Sequence, residues 1–431
     1  MRLPLCVLAC ATVALAPLEG QLQQVHPHLG KVAPALLIGT WAAQRVRERR
    51  LPAPHPLHGL LAVFAAVLLA SSAIHAGDPF TLDYAQRFVP FLVITAVLAD
   101  VVAREVPVRT VLAAAVGGAG LAAVGALYSL VFEGASRASG PLEDPNDLAY
   151  FLVVALPLLI ALPRGRARWL LMLTGAVLAA GAAATFSRGG ALALACAVAW
   201  LVARRGVSVR AIAVAAGGLA VIGLGAMVFA GPALDRALAE KSYIAGTNVD
   251  TRELRWQAAA RMMADHPVIG VGPGGFRSEY VAASRNAEID EQSPVAHNIY
   301  LEIGAELGLP GLACFLGAVA LAFVATERVL RVSEDRRPML AVQASLIAAL
   351  VASTFLSEQY YLPIWSLIAV AVAAELRGAG RFGIPARAPN GPPGIADRHA
   401  GFLTNGPQRG PARALPAHLV ADRGRTAPRG A

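Results

Sequence analysis

Charge is what this chain has least of: Asp, Glu, Lys and Arg make up 15% of its 431 residues, where soluble domains carry about a quarter. Hydrophobic residues fill the deficit at 56%, and a water-facing surface cannot be built from that mixture. Lysine is nearly missing, with Lys31 and Lys241 standing against a combined Lys and Arg count of 37. The net charge of +9 therefore comes from arginines scattered in short clusters between apolar runs. That pattern excludes the continuous basic patch of a nucleic-acid binder and fits a membrane protein. Cysteine is sparse: Cys6, Cys10, Cys196 and Cys314 all sit inside apolar runs, without the paired spacing near histidines that a metal needs. They read as small core residues, neither metal ligands nor disulfide partners. No internal repeat points to a transporter built from duplicated halves.

What is present is a series of about twelve apolar stretches, most of them long enough to cross a hydrocarbon core of roughly 30 Å as helices. They fall at residues 3–16, 29–44, 57–76, 88–103, 108–132, 147–162, 169–184, 189–203, 209–231, 299–325, 339–357 and 362–374. The expected fold is an all-α polytopic integral membrane protein. Its transmembrane domain spans residues 1–377, and one large periplasmic loop, 232–296, separates the ninth and tenth helices. The first stretch has the basic start and apolar centre of a secretory signal, but an even number of crossings favours a retained first helix.

Orientation follows from the linkers, because Lys and Arg near helix ends are retained in the cytoplasm. The basic linkers alternate: RVRERR, REVPVR, RGRAR, RRGVSVR and ERVLRVSEDRR together hold about sixteen arginines, and the linkers between them hold few. Both termini are then cytoplasmic. The loop near Asp78, the segment 133–145, the turn TFSRGG and the long insert face the other side. From residue 378 to 431 the chain turns to Pro, Gly and Arg without apolar periodicity, a composition that cannot bury a core and reads as a disordered cytoplasmic tail.

In such a chain the information lies in polar residues that the bilayer disfavours. Arg188 stands in a very short outer turn beside Gly189 and Gly190. Its guanidinium suits a phosphate or carboxylate, although an arginine reaching for lipid headgroups would look the same. In the insert, a helix beginning at Thr251 puts Arg252 and Arg255 on one face, and Pro267 ends it. The glycine run from Gly270 to Gly275 has no strand around it and is interrupted by Pro273. It reads as a tight turn back toward the membrane, not a dinucleotide loop.

His297 and Asn298 open the tenth span, where a histidine is either a base near neutral pH or part of a helix cap. Glu302 and Glu306 follow one turn apart and should face protein or water. Asn146 and Asp147 begin the sixth helix, as ordinary caps or as site residues. The candidate site residues are His297, Arg188, Arg252, Arg255, Asn146 and Asn298, with their roles open at this point.

These segments, in this order, resemble the family of O-antigen ligases and O-antigen polymerases, bacterial enzymes that move glycans from lipid carriers. The likeness runs from about residue 137 to 365. Its most specific element is His297-Asn298 followed by Gly308 and Gly311. Ser187-Arg188-Gly189, Arg252 with Trp256, Asp265-His266-Pro267, the Gly270–Gly274 run and Pro145-Asn146 complete it. The resemblance implies that Arg188 and Arg252 hold the pyrophosphate of an undecaprenyl-linked glycan donor while His297 assists the acceptor hydroxyl. It also implies inversion at the anomeric carbon, with no metal and no other cofactor. Glu240, Glu253 and Asp265 are too dispersed for a metal-binding carboxylate pair.

The acceptor would be lipid A core, a protein or a growing glycan, and the location the bacterial inner membrane with the site facing the periplasm. The histidine motif tilts the expectation toward a ligase over a polymerase. A secondary transporter or lipid-glycan flippase would also place polar groups within spans. A non-enzymatic assembly protein would use the insert to bind envelope components.

Overall fold

The computed structural model describes residues 2–132, 137–142, 144–163, 165, 168–214, 217–218, 251–289, 291 and 293–382. Most of the expected ninth crossing, the first part of the insert at 232–250, and the tail from residue 383 lie outside the described residues.

Within them the architecture is helical. In chain order the helices are α1 (Arg2–Leu15), α2 (Glu19–Val25), α3 (Leu29–Glu48), α4 (Pro56–Ile74), α5 (Thr81–Arg104), α6 (Val108–Phe132) and α7 (Pro145–Ala155). There follow α8 (Arg168–Ala184), α9 (Arg188–Ala203), α10 (251–265), α11 (Gly275–Ala283), α12 (Ile299–Val332), α13 (Arg337–Ala352) and α14 (Leu362–Phe382). Five are long and apolar enough to cross a membrane: Leu3–Val25, α4, α5, α6 and α12. The stretches Pro145–Ala161, α8, α9 and α13 are shorter and equally apolar. α14 continues through Phe382, past Gly378, where the sequence places the start of the tail.

Large apolar side chains project from these helices: Leu69 on α4 and Leu121 on α6 are each 58% exposed, and Trp169 on α8 is 64% exposed. Helices clothed this way satisfy their own backbone and use lipid as solvent, which makes the chain an integral membrane protein.

The centre of the bundle is aromatic. Trp365 of α14 meets Phe88 of α5 and Phe315 of α12 edge to face, each with ring centroids 6.0 Å apart, and Phe64 of α4 packs on Phe88 at 5.3 Å. All four rings are buried. Since lipid is as apolar as a core, such contacts hold helices by close packing, with about 0.5–1.5 kcal/mol from each aromatic pair beyond its buried area. Trp365 also donates its indole N–H to the Gln359 carbonyl at 2.9 Å, tying the short turn Glu358–Tyr360 to α14.

One end of the bundle is laced by ion pairs. Arg45 of α3 reaches Asp100 at 2.7 Å and Glu105 at 2.9 Å, Arg204 after α9 reaches Glu327 of α12 at 2.5 Å, and Arg328 reaches Glu375 of α14 at 2.7 Å. These groups come from the C-terminal ends of α3, α5, α9, α12 and α14. The residues singled out in the sequence belong to the other end, at the starts of α7, α9 and α12.

At that other end α12 is broken. Gly308 has φ +66° inside it, and Gly270, with φ +73°, lies against the break. The Val271 and Gly272 amides donate to the Ala305 and Glu306 carbonyls at 2.9 and 3.0 Å, and the Leu309 amide donates to the Pro267 carbonyl at 2.8 Å. A Cβ on Gly270 would come within 2.3 Å of the Glu306 backbone. Only glycine permits both the left-handed conformation and that approach. The glycine run is thus a plug in the α12 break, and these amides are already spent on helix carbonyls instead of being open to a phosphate. A small second core of Ala258, Ala259, Met262, Val271, Phe276, Tyr280, Ala296 and Ala305 then seats α10 and α11 over the start of α12.

Candidate active site

The residue that opens α12 is held from every side. Asn298 caps the helix by accepting from the Tyr300 and Leu301 amides, both at 3.1 Å, and the Ile299 amide donates to the Ser353 carbonyl at 3.0 Å. Glu302, buried in the first turn of α12, accepts from the Ala296 amide at 3.0 Å, from Gln359 at 2.6 Å and from the Ser357 hydroxyl. Glu306, also buried, accepts from the Gly274 amide at 2.9 Å. Both carboxylates face protein, as the sequence requires of them. Between the pinned Ala296 and Asn298 stands His297 with φ +49°, a left-handed conformation that a non-glycine residue keeps only when its surroundings impose it.

His297 lines a cavity of about 430 Å³ together with Arg137, Asp144, Pro145, Asn146, Thr251, Arg252 and Arg255. Three separated stretches meet there: the segment entering α7, the first turn of α10 and the residue preceding α12. The α10 wall follows from its sequence. Ala258, Ala259 and Met262 are buried one and two turns beyond Arg255, so the arginines continue the buried stripe of the helix at its open end. Trp256 packs against Phe355, with centroids 6.3 Å apart, and fixes the first turn laterally.

The two α10 arginines differ in their surroundings. Arg255 is buried and paired, its Nε 3.3 Å from Glu288 and one Nη 2.7 Å from Glu291. Burial disfavours its charge, but the two carboxylates outweigh burial and raise its pKa. Arg252 is half-buried and makes no hydrogen bond or ion pair with the described residues. Burial lowers its pKa, Asp144 opposes that, and Arg255 adds to it. A guanidinium still keeps its proton, so Arg252 presents to the cavity a charge with no ion-pair partner among the described residues, with Asp144 the carboxylate that acts on it.

His297 responds to the same field. Burial, then Arg252 and Arg255, push its pKa down from 6.5 to about 4, with Asp144 and Glu291 acting the other way. The imidazole is neutral at physiological pH and has a nitrogen free to accept a proton.

Of the wall entering α7 the sequence marked Pro145 and Asn146, and gave no role to Arg137 or Asp144. Asp144 caps α7, its Oδ1 accepting from the Asn146 amide at 2.6 Å and side-chain nitrogen at 2.9 Å. Arg137 donates to the Thr185 carbonyl at 3.0 Å and to Asn146 Oδ1 at 3.3 Å, which joins this wall to the turn between α8 and α9. That turn carries Arg188. Ser187 caps α9 through the Gly190 amide at 3.2 Å, Gly189 packs on Phe355, and Arg188 is exposed at the first helical position.

The structure therefore gathers His297, Arg252, Arg255 and Asn146 around one cavity. Arg188 stands on the neighbouring turn outside the lining, and Asn298 lies beneath His297 as a buried cap. Arg137, Asp144 and Thr251 join the set; the sequence marked Thr251 only as a helix start, and an arginine and an aspartate in a polar linker have no periodicity to betray their direction.

No curated protein matches the chain. A family model does match, over residues 173–316, a narrower stretch than the motif likeness from 137 to 365. It takes in the α8–α9 turn with Arg188, all of α10, His297 and the broken start of α12, and leaves out Asn146. The model is described as O-antigen ligase, and residues 173–316 of the chain are similar to that family.

Proposed function

We propose that the protein is a membrane glycosyltransferase. It moves a glycan from an undecaprenyl-pyrophosphate-linked donor to an acceptor hydroxyl at the periplasmic face of the bacterial inner membrane, in the manner of an O-antigen ligase. The observation that carries this reading is the pairing, in one cavity, of a neutral imidazole at His297 with the Arg252 guanidinium, which has no ion-pair partner among the described residues. The family match over the same residues supports it.

The chemistry follows from what those groups can do. An acceptor hydroxyl becomes a nucleophile as His297 takes its proton, and the oxygen attacks the anomeric carbon. The bond from that carbon to the pyrophosphate oxygen breaks, and the electron pair leaves with the lipid pyrophosphate. Negative charge grows on the leaving group, where Arg252 stabilises it without a metal, and Arg188 extends the positive surface from the adjoining turn. Burial first, then the charges of Arg252 and Arg255, keep the imidazole neutral, and Glu288 and Glu291 hold Arg255 in place. Asn146 and Asn298 frame the wall and the floor.

The orientation rests on the arginine-rich helix ends, which lie at the end of the bundle away from the cavity and are assigned to the cytoplasm by the retention of positive charge there. Purified protein given a polyprenyl-pyrophosphate glycan should form a new glycosidic bond and release the lipid pyrophosphate. Counterflow of a solute in liposomes with no glycan product would instead make the protein a transporter. With a core-type acceptor a ligase gives one product, whereas a polymerase gives a ladder from repeat units alone.

A further inference from the structure

Proton acceptance by His297 poses an electrostatic problem. Arg252 and Arg255 approach it from α10, and both oppose the imidazolium that forms once the acceptor hydroxyl has given up its proton. Arg137 adds positive charge to the same lining from the segment before α7. Against these stand two carboxylates that act on the imidazole: Glu291, after α11, and Asp144, at the start of α7. Glu291 is committed to Arg255 at 2.7 Å. Asp144 lines the cavity itself, and only its Oδ1 is used in capping α7.

We propose that Asp144 is the positioning carboxylate for His297: it faces the imidazole across the cavity and stabilises the imidazolium during glycan transfer. The inference rests on the proposed transfer reaction and adds a residue to it. In the step, the hydroxyl proton moves to His297 and the acceptor oxygen bonds to the anomeric carbon. The carbon–oxygen bond to pyrophosphate breaks with its electrons on the leaving group. Asp144 keeps its charge throughout, and the proton then passes from His297 to water. A carboxylate in this place favours the protonated imidazole in the transition state more than it alters the ground state, where the imidazole is neutral, so it acts on kcat.

The test is Asp144→Asn, because asparagine caps a helix as well as aspartate does and so leaves the start of α7 intact while removing the charge. The expected result is a fall in kcat on the order of tenfold to a hundredfold, with the donor KM and the melting temperature unchanged. The acid limb of kcat/KM should move to lower pH, and Asp144→Glu should recover part of the rate.

An unchanged kcat with an unmoved acid limb would overturn the proposal. So would a change confined to donor KM, which would assign Asp144 to Arg252 instead. His297→Ala run alongside separates the two levels. If His297→Ala loses transfer while Asp144→Asn keeps the full rate, only the role of Asp144 falls; if His297→Ala transfers at the wild-type rate, the reaction scheme falls and takes this inference with it.

Discussion

Glu302 accepts a hydrogen bond from the amide of Ala296 at 3.0 Å, so a carboxylate in the first turn of α12 fixes the residue immediately before His297. The same carboxylate holds Gln359 and Ser357 from the turn before α14. It thereby joins the insert, α12 and the turn before α14 at one buried point. The left-handed backbone of His297 is stable because this clamp and the Asn298 cap leave it no alternative.

Glu302→Ala should therefore lose both stability and activity. Three donors would be left without their acceptor in a buried site, at a cost of roughly 3 kcal/mol or more. Thermal unfolding in detergent measures the first effect. Glu302→Gln, which keeps acceptor capacity, should recover most of the melting temperature.

Arg252 and Arg255, three residues apart, should separate function from stability. Arg252→Ala removes a half-buried charge that has no partner among the described residues, so stability should change by less than about 0.5 kcal/mol while transfer is lost. Arg255→Ala removes the shared partner of Glu288 and Glu291, which keep only Tyr280 and the Ser293 amide, and should cost about 1–2 kcal/mol. Melting curves and initial rates on the two variants distinguish these outcomes.

The pH profile should report the field at His297. A base whose pKa lies at about 4 is deprotonated throughout the physiological range, so kcat/KM should stay level from neutral pH and fall only as pH approaches 4. Arg252→Gln removes a neighbouring positive charge that disfavours the imidazolium. The residual activity of that variant should then show an acid limb shifted upward, toward 6.5.

The break in α12 should be intolerant of any side chain. Gly308→Ala puts a Cβ 2.7 Å from the Val268 backbone at φ +66° and should destabilise by about 1–3 kcal/mol. Gly59→Ala in α4, where nothing lies within 4 Å, should be neutral or stabilising. Differential scanning of the two variants provides the comparison.

The legibility of the sequence divides along physical lines. Helix positions were readable because lipid demands continuous apolar runs: 108–132 coincides with α6, and the expected starts at 299 and 362 coincide with α12 and α14. That Arg252 and His297 belong together came from the family resemblance and not from the residues alone, and the structure sets both in the lining of one cavity. The unequal status of Arg252 and Arg255 was not legible, since it depends on Glu288 and Glu291, which sit in a loop without periodicity. Arg137 and Asp144 were hidden for the same reason. The glycine run could be recognised as a turn, but not as a plug for a helix break at Gly308, because that pairing joins segments distant in sequence.

The most direct test of the account is transfer of glycan from a polyprenyl-pyrophosphate donor by the purified protein and by its His297→Ala and Arg252→Ala variants, each checked for membrane insertion and melting temperature. The account predicts product from the wild-type chain and a loss on the order of a hundredfold or more in either variant without loss of fold. Variants that insert normally and form product at the wild-type rate would contradict it.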